Sequence, residues 1–184
     1  WRAAFNTLLD IAHEVSVPGR EAERRSVTEN LMSLLSPDQS SAVKERALRL
    51  LSLIVPEGFD VDPIAELLED PDLREKARAC LEEIGTPEAR AALCGALDST
   101  DPEVVTAILN SLREAGPEGC AQKIRSLMEG DNPVTRVAAA RALATIPNPE
   151  VRGDFRKVVE LSSPETRVDA ERAFLTYLEE LEGK

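Results

Sequence analysis

The sequence holds a single histidine, His13, and three cysteines, Cys80, Cys94 and Cys120, with no CxxC pair among them. An odd count at these spacings is neither a disulfide framework nor a zinc site, and it points to a reducing, cytoplasmic setting. Aromatic residues are only 3% of the chain, so its core must come from small and aliphatic side chains. No apolar run nears the roughly 20 residues a membrane helix requires, and nothing at the start reads as a signal peptide. The first residue is Trp1 rather than Met, which suggests a piece of something longer. Clustered Lys and Arg are missing too. The net charge is −12, with 7 basic and 9 acidic residues in 1–60 against 15 and 25 in 61–184. Phosphate backbones demand clustered cations, so nucleic acid is not expected as the main partner. The acidity reads as a solvated surface on a monomer, with no membrane insertion by this segment.

What the chain does have is a period. Asp70-Pro71 returns as Asp101-Pro102, Asn132-Pro133 and Ser163-Pro164, each 31 residues after the last. Asp, Asn or Ser can cap the first free backbone N–H groups of a helix, and Pro loses nothing at the first helical position. An apolar stripe at i, i+4, i+7, i+8 and i+11 follows each signal. Its copies are Leu73, Ala77, Cys80, Leu81, Ile84; then Val104, Ile108, Ser111, Leu112, Ala115; then Thr135, Ala139, Ala142, Leu143, Ile146. A fourth copy is Thr166, Ala170, Ala173, Phe174, Tyr177, and an upstream one, offset by 30, is Val43, Ala47, Leu50, Leu51, Ile54. A second helix is expected after each break, over about 87–98, 118–129 and 149–160. No single pair has enough apolar area to stand alone, so the pairs must stack.

Residues 1–40 are less regular: Phe5, Leu8, Leu9 and Ala12 form one stripe, and Val27, Leu31, Leu34 and Leu35 another. With helices at 41–54 and about 63–69, the expectation is an all-α chain of about eleven helices. It forms a single array over 1–184, with 1–40 as an irregular N-terminal cap and 41–184 as regular repeats.

"DPDLREKARACLEEIGTPEARAAL", "NPVTRVAAARALATIPNPEVRGDF" and "SPETRVDAERAFLTYL" together resemble the HEAT repeat, in the short variety noted in phycobilisome lyases. The resemblance implies a right-handed α-solenoid of antiparallel helix pairs. It says less about activity, because similar arrays serve as lyases, hydroxylases, glycosylases and scaffolds. HEAT-like hydroxylases hold two irons with several His-Glu pairs; His13-Glu14 is a lone match and cannot fill such a site, so no metal or other cofactor is expected. The glycosylases use a basic groove with aromatics, against which the −12 charge and single Trp argue.

Arg74, Arg136 and Arg167 share one column, which reads either as a ladder bonding neighbouring helix ends or as a ligand-binding row. Cys80 and Cys120 fall in core columns, while Cys94 shares a column with Arg125 and Arg156 and should be the most exposed thiol, inert unless a base reaches it. The face opposite the stripe runs from Glu75 and Glu82 to Val137, Arg141, Val168, Arg172 and Leu175. Arg beside exposed aliphatics is interface chemistry, although surface drift accounts for it equally. A carboxylate between Arg141 and Arg172 would come from Asp169 or Glu171 within the array, or from a partner. The expected function is a non-enzymatic module holding a protein partner on this face; the alternative is a lyase subunit acting on a tetrapyrrole-bearing protein.

Overall fold

The computed structural model describes residues 2–183. Eleven α-helices and no strand occur among them. They are α1 (Arg2–Val15), α2 (Glu21–Ser33), α3 (Ser41–Ile54), α4 (Asp62–Ala65), α5 (Arg74–Ile84) and α6 (Pro87–Gly95), followed by α7 (Pro102–Ala115), α8 (Ala121–Leu127), α9 (Pro133–Leu143), α10 (Arg152–Glu160) and α11 (Pro164–Glu182). Short 3₁₀ turns extend α4 and α6 and lead into α8 and α10.

Two of the four start signals work as their chemistry requires, while the Ser163 side chain makes no capping bond and Asp70 departs in another way. Asn132 Oδ1 accepts from the N–H groups of Val134 and Thr135, both at 3.0 Å, and Asp101 Oδ1 accepts from Glu103 N–H at 2.9 Å. Asp70 also accepts, from Asp72 N–H at 2.9 Å, but residues 71–73 stay a turn and α5 begins only at Arg74. The stop signal is clearest at Gly85, whose φ of +61° ends α5 in the left-handed region that favours glycine.

The repeated stripes are the core. Leu81, Leu112 and Ile108 are fully buried, and Leu143 is 4% exposed. Burying each such side chain contributes about 1.5–3 kcal/mol, so the columns are the main source of cohesion. The irregular beginning departs at Leu8, which is 43% exposed although it shares the stripe of the fully buried Ala12.

The helices pack into two compact units, the first ending at Leu93 and the second starting at Cys94. In the first, α3 lies between α1 and α5, with α2 against α1 and α3. In the second, α9 lies between α7 and α11, with α8 and α10 packed against it. Each unit is a stack of helix pairs of the α-solenoid class. Bonds within the units repeat the period in space: Cys80 Sγ reaches Leu48 O (3.2 Å), Thr106 Oγ1 meets Thr135 Oγ1 (3.1 Å), and Tyr177 Oη donates to Asn148 O (2.8 Å).

Candidate functional site

Two exposed faces, one in each unit, are candidates, and the second unit holds the residues expected from sequence. Here α9 is built to be packed around. Thr135, Ala138, Ala139, Ala140 and Ala142 are small enough for neighbouring helices to approach, and all are buried. This close approach corrects the expected patch. Val137 is only 5% exposed and Ala144 2%, because α7 and α11 close over the flanks of α9. Val137 is therefore part of the core. Arg141, one turn on, is half-buried.

On α11 the same column is open. Val168 is 61% exposed and Leu175 60%, with the Arg172 side chain 74% exposed between them. Arg172 leans on Asp169 of its own helix at 3.5 Å, and Glu171 is taken by Arg167 at 3.0 Å. Neither carboxylate is therefore given to Arg141.

The arginine column follows the same division. Arg136, 8% exposed, donates from Nε to Gly130 O (3.0 Å), from Nη1 to Leu161 O (3.1 Å) and from Nη2 to Gly130 O and Asp131 O (2.9 and 3.3 Å). It closes the turn before its own helix and satisfies the carbonyl of Leu161 at the end of α10. Arg125 and Asp154 add a partly buried pair at 2.6 Å between α8 and α10. Arg136 thus bonds a neighbouring helix end as the ladder reading expects, whereas Arg167 of the same column pairs with Glu171 on its own helix. His13 is exposed on α1, and no group of three His, Cys, Asp or Glu able to hold a metal occurs among the described residues.

The cysteine expectation is corrected as well. Cys94, at the end of α6, and Cys120, at the start of α8, form a disulfide with Cα atoms 5.8 Å apart. They are 26 residues apart with no local cysteine motif, and both belong to the second unit, whose packing brings them together. With Cys94 and Cys120 paired, unpaired thiols no longer point to a reducing compartment. No helix among the described residues is long and apolar enough to cross a membrane. Cys80 remains free and buried, and burial together with the nearby Glu83 carboxylate pushes its thiol up to about 12.

The first unit carries a feature that sequence reasoning missed. A groove of about 690 Å³ opens between α3 and α5, with Phe5 of α1 at its side. Its floor is small and apolar, made by Ala42, Leu48, Ala79 and Cys80. Its walls are long and charged: Arg46, Arg49, Lys76, Glu45 and Glu83. The Arg49 guanidinium sits 5.7 Å from the Phe5 ring centroid, and Lys76 pairs with Glu45 at 3.1 Å. The available signal was small residues at outward positions among long charged ones, which becomes readable once the register is known.

The family described as HEAT repeats matches residues 28–113 and 61–129, together more than half of the chain. The chain is a HEAT-repeat protein. No curated protein sequence matches it. Among solved structures it is similar to an engineered protein from the Northeast Structural Genomics Consortium, with a TM-score of 0.53 at 21% identity over 98% of this chain and 90% of that one. It is also similar to a designed armadillo repeat protein solved in complex with peptide (KR)4, with a TM-score of 0.53 at 16% identity over 96% and 92%. At these identities the likeness concerns the fold. Arg136 and Leu143 hold the stack itself together, which leaves the outward columns as the candidates for binding. Repeats of this class generally mediate protein interactions.

Proposed function

We propose that this HEAT-repeat chain is a non-enzymatic protein-binding module, and that the open column of its second unit receives the partner. The contact residues are Arg141, Val168, Arg172 and Leu175, without Val137. One observation carries the reading. Two large aliphatic side chains, each at least 60% exposed, flank an open guanidinium on one face of α11. Solvent exposure of that much apolar surface costs free energy that a partner would recover, about 25 cal/mol per Å² covered. The guanidiniums select acidic groups on that partner.

The armadillo neighbour was solved with a peptide, which supports peptide binding by such a stack, but that peptide is basic. Arg141 and Arg172 would repel a ligand of that sign. Nothing among the described residues favours the tetrapyrrole-lyase reading, since the exposed column offers no acid–base pair.

The test is charge reversal. Arg141→Glu with Arg172→Glu should abolish partner capture in a cross-linking pull-down while leaving thermal stability within a few degrees. A double variant that unfolds readily, with its residual folded fraction still capturing partner, assigns both arginines to the framework instead.

A further inference from the structure

We propose that the α3–α5 groove of the first unit is a separate docking site for an acidic, partly apolar peptide segment of a partner protein. The proposal does not depend on the α11 face. Its first support is charge. The chain is acidic overall at −12, yet the groove walls carry three cations, Arg46, Arg49 and Lys76, against two carboxylates, Glu45 and Glu83. Lys76 and Glu45 neutralise each other at 3.1 Å. The Arg49 guanidinium lies over the Phe5 ring, and a cation held on a ring face keeps N–H donors that can take up a carboxylate. Distant negative charges weaken this preference little, because salt screens them beyond about 8 Å at physiological strength.

The second support is shape. Ala42 and Ser52 of α3 mark the two ends of the groove on that helix. Ten residues of helix span about 15 Å, enough for four or five residues of extended chain. Side chains this small allow a peptide backbone to approach the helix surface. Between them, the apolar floor of Leu48 and Ala79 accepts one aliphatic side chain of the peptide. A segment alternating acidic and aliphatic residues satisfies both features at once, with the acid on Arg49 and the aliphatic group on the floor.

Fluorescence anisotropy tests this with two labelled hexapeptides, one alternating Glu and Leu, the other Lys and Leu. The acidic peptide should bind saturably and the basic one should not. Arg49→Glu should weaken binding about tenfold or more, the effect of losing one close charge pair and gaining a repulsive one. Ala79→Trp, an exposed position where added bulk fills the groove without changing charge, should abolish binding. The same titration on the Arg141→Glu, Arg172→Glu variant removes any contribution of the α11 face, and adding Arg49→Glu should weaken the binding that remains by the same factor. Equal or tighter binding of the basic peptide overturns the proposal. So does unchanged affinity in both groove variants, absence of saturable binding up to millimolar acidic peptide, or displacement of that peptide by equimolar free glutarate. Concentration-dependent dimerisation lost on Ala79→Trp would assign the groove to a second copy of the chain and overturn it equally.

Discussion

Helices α9 and α11 begin one 31-residue period apart, at Asn132-Pro133 and Ser163-Pro164, so that Val137 corresponds to Val168 and Arg136 to Arg167. The sequence treats the members of each pair as equivalent, yet their surroundings differ. Val137 is 5% exposed and Val168 61%; Arg136 serves three backbone carbonyl groups, while Arg167 pairs with Glu171 in solvent. The cause lies in their neighbours. Helix α9 is enclosed by α7, α8, α10 and α11, whereas α11 packs against α9 and α10. Register decides which way a side chain points, and the number of packed neighbours decides whether that direction is core or surface.

The largest expected effects fall inside the enclosed columns. Leu81→Ala, Leu112→Ala and Leu143→Ala should each cost about 2–5 kcal/mol in urea unfolding, since all three leave cavities in equivalent buried positions. Losses below about 1 kcal/mol at all three would show the register to be wrong. Val137→Asp should cost about 3 kcal/mol by burying a carboxylate without a partner, and Val168→Asp should stay within about 0.5 kcal/mol. Equal losses at the two valines would erase the contrast between the helices. Next comes the Cys94–Cys120 bond, which closes a loop of about one repeat in the unfolded chain. Reducing it should lower stability by about 3 kcal/mol, read as a shift in the guanidinium midpoint; an unmoved midpoint contradicts the pairing. Smallest is the response of Cys80. Its thiol, pushed up to about 12 by burial, stays protonated near neutrality, so iodoacetamide should leave it unmodified in the folded chain.

Much of the fold was legible because the repeat states the same physics several times. A stripe such as Val104, Ile108, Leu112 could belong to any amphipathic helix, but its recurrence at a fixed period identifies a stack and its buried columns. The exceptions have identifiable causes. Leu8 belongs to the irregular first helix, where no second copy of the stripe checks the assignment. Val137 was misplaced because a helical wheel describes one helix, and the approach of α7 and α11 over a run of alanines is a property of three. The disulfide was hidden for a similar reason: Cys94 and Cys120 are distant in sequence and adjacent only after stacking. The groove of the first unit depends on what is small, at Ala42 and Ala79, and small outward residues carry no signal until their charged surroundings are placed.

The division of labour between an enclosed helix that holds the fold and an outer one that offers its column to a partner is tested most directly at the paired arginines. Arg136→Ala and Arg167→Ala should be compared by equilibrium urea unfolding under identical conditions. Arg136→Ala should lose about 2 kcal/mol, because the carbonyls of Gly130, Asp131 and Leu161 lose a charged donor that is itself buried. Arg167→Ala should lose less than about 0.5 kcal/mol, as an exposed i,i+4 pair does. Equal losses, or a greater loss at Arg167, would contradict the account.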